Sequence, residues 1–69
     1  MFDISKRPEG ILQVTLEEVM AGDEIIYHIG YYAAGPHKKP AYLLYEQGKC
    51  VLYQRKQEDG MFQYIAQKR

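Results

Sequence analysis

The sequence predicts a small α+β domain, with two short helices and a three-stranded antiparallel sheet that ends in a C-terminal hairpin. Three observations carry this. Runs rich in β-branched and aromatic residues occur at EIIYHIGYYA, KCVLYQRK and MFQYIAQKR. Two other stretches, LEEVMA and PAYLLYEQ, set apolar residues at helical spacing and run into glycine. The Asp59-Gly60 pair separates the last two strand-like runs, a strong short-range hairpin signal.

With 69 residues the chain is read as one domain, residues 1–69. A domain of this size buries only about 60% of the surface its unfolded chain exposes, so its core is thin. Composition is ordinary for a globular protein, 46% hydrophobic and 26% charged, which argues against disorder.

MFDISKRPEG carries Pro8 and Gly10 and reads as an irregular N-terminal arm over residues 1–10, from which Phe2 and Ile4 can dock on the core. Thr15 and Glu18 match a capping box, and Leu16, Val19 and Met20 follow at helical spacing before Gly22. The first helix is therefore expected from about Leu16 to Ala21. In the strand that follows, Ile25, Tyr27, Ile29 and Tyr31 share one parity and Ile26, His28, Gly30 and Tyr32 the other. Apolar residues on both sides suggest a well-covered strand, with Gly30 marking a bulge or a close backbone approach. GPHKKP is a loop. Pro40 suits a first helical turn, and a second helix is expected over Pro40–Gln47, stopped by Gly48. The final strands fall at Lys49–Lys56 and Met61–Gln67, with Cys50 and Leu52 facing inward.

Formal charge is zero overall but unevenly spread. Residues 1–25 set Lys6 and Arg7 against Asp3, Glu9, Glu17, Glu18, Asp23 and Glu24, a net of −4. Residues 26–52 set Lys38, Lys39 and Lys49 against Glu46, and residues 53–69 set Arg55, Lys56, Lys68 and Arg69 against Glu58 and Asp59, a net of +2 each. Such asymmetry speaks to partners rather than to fold.

Catalytic and metal chemistry find little support. Cys50 is the only cysteine, so no internal disulfide forms, and no Cys/His cluster has zinc spacing. His28 has no nucleophile to serve, Ser5 lies in the arm, and GPHKKP lacks the phosphate-loop pattern. The expectation is no enzyme, no cofactor and no metal. No apolar run resembles a signal peptide or membrane span, so a cytoplasmic protein is expected.

Two kinds of binding residue stand out. Arg55, Lys56, Lys68 and Arg69 end the hairpin strands, and Lys38 and Lys39 precede the second helix; such side chains hold phosphate by charge and hydrogen bonds. Interleaved Tyr53, Phe62 and Tyr64 have faces on which unpaired bases stack. The alternative is that these charges solvate an edge strand while the aromatics fill the core. There are seven tyrosines and no tryptophan. A thin core cannot satisfy seven hydroxyls, so some rings are exposed or lie in a protein contact. Tyr31, Tyr32, Tyr42 and Tyr45 are the candidates.

The order helix, strand, helix, two-stranded hairpin resembles a reduced winged-helix domain. GKCVLYQRKQEDGMFQYIAQKR looks like the wing of small prokaryotic and phage-type winged-helix proteins, and EIIYHIGYYA resembles the strand before their last helix. The resemblance covers the last two-thirds of the chain. It implies a DNA-binding protein, a phage-type regulator or accessory factor, with Lys38, Lys39 and the helix Pro40–Gln47 on the groove side and Arg55 and Lys56 on the wing. Only one helix fits between Ala33 and Gly48 where the family has two, and PAYLLYEQ is poor in base-reading side chains, so modest sequence specificity is expected. The partner is then nucleic acid, DNA before RNA. The alternative is a protein-interaction module or inhibitor that docks on a larger host protein through its exposed tyrosines. The thin core and the tyrosine excess also predict a homodimer.

Overall fold

A computed structural model describes residues 2–69. The elements are β1 (Phe2–Asp3), α1 (Ile11–Glu18), β2 (Glu24–Gly30), α2 (Lys38–Glu46), β3 (Cys50–Lys56) and β4 (Phe62–Lys68). The strands form one sheet in the order β1-β2-β4-β3. β4 pairs antiparallel with both β2 and β3, so β2 and β3 run parallel and α2 carries the chain from one to the other. The α+β class stands, but the sheet is four-stranded and mixed rather than three-stranded and antiparallel.

The extra strand comes from the segment expected to be irregular. Phe2 lies opposite Ile25 and Asp3 opposite Ile26, in parallel register with β2. The Ile4 N–H donates to the Ile26 carbonyl at 2.9 Å, and the Ile4 side chain is buried. Two residues show no period to read, so β1 forms because β2 offers it a partner. The expected arm begins at Met1, which lies outside the described residues.

α1 starts five residues earlier than expected and ends earlier too. Leu12, Leu16 and Val19 make a buried stripe at i, i+4, i+7. Burial of Leu12 outweighs the weak helix propensity of Ile11, Val14 and Thr15. The Thr15/Glu18 pair is therefore inside the helix and not a capping box. Gly22, at φ +92, serves a tight turn instead of a helix end. In that turn Asp23 accepts the Met20 N–H on Oδ2 at 2.9 Å and returns its own N–H to the Met20 carbonyl.

α2 begins two residues before Pro40, which still lies within the first turn, where a missing N–H costs nothing. It ends as expected at Gly48. The Gly48 N–H bonds the Tyr45 carbonyl and the Lys49 N–H bonds the Leu44 carbonyl, both at 3.0 Å, with Gly48 left-handed at φ +75.

The core lies between the helices and one sheet face: Leu12, Leu16, Ala41 and Leu44 meet Ile25, Tyr27, Cys50, Tyr64 and Ala66. A bulge in β2 between Ile26 and His28 breaks the expected alternation. Ile25 lies opposite Ala66 and His28 opposite Tyr64, so both precede and follow the extra residue on the helix side. Close approach does occur at Gly30, though by a side chain: a Cβ there would come within 2.9 Å of His28 Nε2. Ile26 and Ile65 pair on the other, helix-free face and are nonetheless buried.

Candidate interaction surface

Local sequence chemistry places an unusual density of tyrosine around one cleft. On α2, Ala41 and Leu44 point into the core. Tyr42 and Tyr45 follow each by one residue, which turns them about 100° around the helix toward β3. In the sheet, Tyr27 and Tyr64 lie on neighbouring strands with ring centroids 6.4 Å apart. These four tyrosines, with Leu52 and Gln54 of β3, border a cleft of about 330 Å³ between α2 and the sheet.

The floor is apolar. Burial and the neighbouring Tyr42, Cys50 and Tyr64 push the Tyr27 hydroxyl up to about 12. Burial also pushes the Cys50 thiol up, which keeps it protonated and inert. Among the described residues no group of His, Cys, Asp and Glu is arranged to hold a metal.

The cleft opens onto the backbone edge of β3. Arg69 donates its N–H to the Lys49 carbonyl, and Gln57 donates to Met61, so the odd-numbered residues of this ladder form its hydrogen-bonded pairs. In an antiparallel ladder the alternate residues then turn both N–H and C=O away from the partner strand. Those are Cys50, Leu52, Gln54 and Lys56. β3 is an edge strand, so these groups face outward, and Leu52 and Gln54 do so at the cleft.

The sequence-derived tyrosines are all exposed: Tyr31 59%, Tyr32 82%, Tyr42 47% and Tyr45 51%. They are not one patch. Tyr42 and Tyr45 line the cleft, whereas Tyr31 packs near the β3–β4 turn, 3.9 Å from where a Gly60 Cβ would stand. Tyr32 projects from the loop after β2.

The six basic residues also separate. Arg55 crosses the helix-free face to Glu24, Nη2 to Oε2 at 3.2 Å, with its guanidinium 5.9 Å from the centre of the Tyr53 ring. Lys68 turns toward the end of α1, donating from Nζ to the Val19 carbonyl at 2.6 Å and to the Glu17 carbonyl at 3.4 Å. Arg69 is exposed beside Lys49 at the same end of the sheet, and Lys56 is exposed at the other end of β3. Lys38 and Lys39 open α2. Just before them the buried His37 donates from Nε2 to the Arg7 carbonyl at 3.0 Å, which brings Lys6 and Arg7 to the same end of the molecule. The single ion pair among the described residues is Arg55–Glu24, so Lys6, Arg7, Lys38 and Lys39 are unpaired.

Sequence reasoning passed over Tyr27 and Tyr64 as cleft residues; it weighed an edge strand in the hairpin but did not say that β3 is that strand or which of its groups face outward. The inward parity of Cys50 and Leu52 pointed to Gln54 sharing their side. Nothing local told which strand would be outermost.

Comparison with known protein families, curated proteins and solved structures finds no match for this chain. No helix among the described residues is long and apolar enough to cross a membrane.

Proposed function

We propose that this domain is a protein-interaction module that engages its partner through the tyrosine-bordered cleft between α2 and β3. The observation that carries this reading is the convergence of Tyr27, Tyr42, Tyr45 and Tyr64 on one cleft. Tyrosine presents a large, rigid surface with a polar tip and few rotamers to freeze, which suits it to protein contacts. Two of the six basic residues expected to bind phosphate, Arg55 and Lys68, already have partners within the chain, which weakens the phosphate-binding alternative.

Affinity capture with the wild-type domain and with a Tyr42→Ala/Tyr45→Ala variant tests this. The expected result is a protein partner held by the wild type at low and high salt and lost by a variant whose thermal melt is unchanged. Equal capture by both proteins overturns the reading.

A second reading, a nucleic-acid-binding protein of modest specificity, is supported by the four unpaired bases at Lys6, Arg7, Lys38 and Lys39. Phosphate contacts release counterions, so DNA affinity would fall steeply with salt. Replacing Lys38 and Lys39 with alanine would lower the slope by roughly two units if both touch phosphate. A gel-shift titration at two salt concentrations that shows no retarded DNA ends this reading.

A further inference from the structure

We infer that the β3 edge and the tyrosine cleft together form a strand-addition site, and that its ligand is an extended acidic peptide. This inference rests on the interaction-module reading and names the partner's chemistry and mode of binding.

The backbone supplies the first half of the site. Leu52 and Gln54 point their N–H and C=O groups outward along a free edge, a template for one further strand. The cleft supplies the second half. An added strand places alternate side chains toward the helix side, where Tyr42, Tyr45 and Leu52 line a space of about 330 Å³, enough for one apolar or aromatic side chain. Main-chain bonds then give affinity and the cleft gives selectivity.

Charge decides the occupant. From Lys49 to Lys56 the chain holds no acidic residue. Lys49 and Lys56, one at each end of β3, have no ion-pair partner among the described residues, since Arg55 alone is paired. Glu46 and Glu58 lie beyond the two ends, on α2 and in the β3–β4 turn, and Asp59 is held in that turn by accepting the Met61 N–H on Oδ1. A strand laid along β3 thus meets a lysine near each end. A second copy of this chain is a poor fit: antiparallel pairing of β3 with itself through the outward groups of Leu52 sets Lys49 of one copy opposite Arg55 of the other, and like charges opposed across strands destabilise the pair.

The probe is a short peptide of alternating glutamate and valine with a central phenylalanine, titrated into the full domain by fluorescence anisotropy. Its counterpart with lysine for every glutamate should bind about tenfold more weakly or worse. Gln54→Pro removes an outward N–H without breaking a bond to β4, so the fold should persist while affinity drops by about tenfold. Tyr45→Ala should cause a similar loss. Peptides N-methylated at either set of alternate amides provide an independent check: one register should bind poorly and the other normally. Equal binding of the acidic and basic peptides, or unchanged affinity of both N-methylated forms, overturns the proposal. If Tyr45→Ala weakens binding and Gln54→Pro and both N-methylated peptides do not, strand addition is wrong while the tyrosine module stands. If the domain sediments as a dimer that Gln54→Pro dissociates, a second copy is the occupant and the acidic peptide is ruled out.

Discussion

Arg55 lies diagonally across the helix-free face of the sheet from Glu24, with 3.2 Å between guanidinium and carboxylate. Arg55 stands opposite Gln63 on β4, and Glu24 stands opposite Gln67 on the same strand. The line between them passes over Ile65, which is fully buried although no helix packs on that face. The register sets the arginine stem on the same face as this apolar centre, the kind of surface that long charged side chains commonly cover. This relationship makes Arg55 a structural residue as well as a charged one.

Arg55→Ala should therefore destabilise the domain by about 1 kcal/mol, mostly through lost cover over Ile65 rather than lost charge. Arg55→Met, which keeps the stem, should cost about half as much or less. Urea unfolding of both variants, with Glu24→Gln completing a double-mutant cycle, separates the two contributions. Equal losses for the alanine and methionine variants would return the effect to the ion pair.

Lys68 joins the last strand to the first helix. Its ammonium satisfies the Val19 and Glu17 carbonyls, groups left open where α1 stops. Lys68→Met keeps the stem and removes the donor, and should cost about 1–2 kcal/mol by chemical denaturation. Amide exchange should accelerate first in α1. A variant as stable as wild type would mean that water replaces the ammonium without loss.

His37 ties the N-terminal segment to α2. Its Nε2 bonds the Arg7 carbonyl, while its Nδ1 is buried with no protein partner. Replacement by alanine removes the bond and leaves a cavity, for an expected loss of about 2–3 kcal/mol. Hydrogen exchange at the Ile4 and Arg7 amides should quicken most, because β1 and the turn behind it lose their anchor. Uniform exchange changes across the sheet would show that His37 acts on the whole core instead.

Tyr27 predicts the alkaline limb of stability. Its hydroxyl is pushed up to about 12 in the folded protein, by burial first, against about 10 when unfolded. The stabilisation is complete below pH ~10 and is lost as pH rises toward ~12, because the unfolded chain gives up its proton first. The loss is about 1–2 kcal/mol across that window once solvent near the cleft is allowed for. Thermal melts of wild type and Tyr27→Phe from pH 8 upward test this as relative trends. The phenylalanine variant should lose less stability on the alkaline side; parallel curves would remove Tyr27 as the cause.

Much of the order of elements was legible in the sequence because its signals are local. Strand-forming runs, the Asp59-Gly60 turn and the stop at Gly48 each depend on residues a few positions apart. So does the surplus of tyrosine over what a thin core can bury, and Tyr31, Tyr32, Tyr42 and Tyr45 are exposed. The first helix was misplaced because its strongest cue, the complete burial of Leu12, is a tertiary fact.

Contacts between distant segments decided the rest. β1 exists because Phe2 meets Ile25, and the ion pair across the helix-free face exists because Arg55 reaches Glu24. β3 presents a free edge because β4 inserts between it and β2. The bulge at Tyr27 sets His28 on the helix side, against the parity read along the strand. Local periodicity fixes which residues can share a face, but strand order and register follow from the best joint burial of segments far apart in the chain. That physical difference separates what this sequence determined by itself, its strands, helices and turns, from the cleft and open edge that only their packing created.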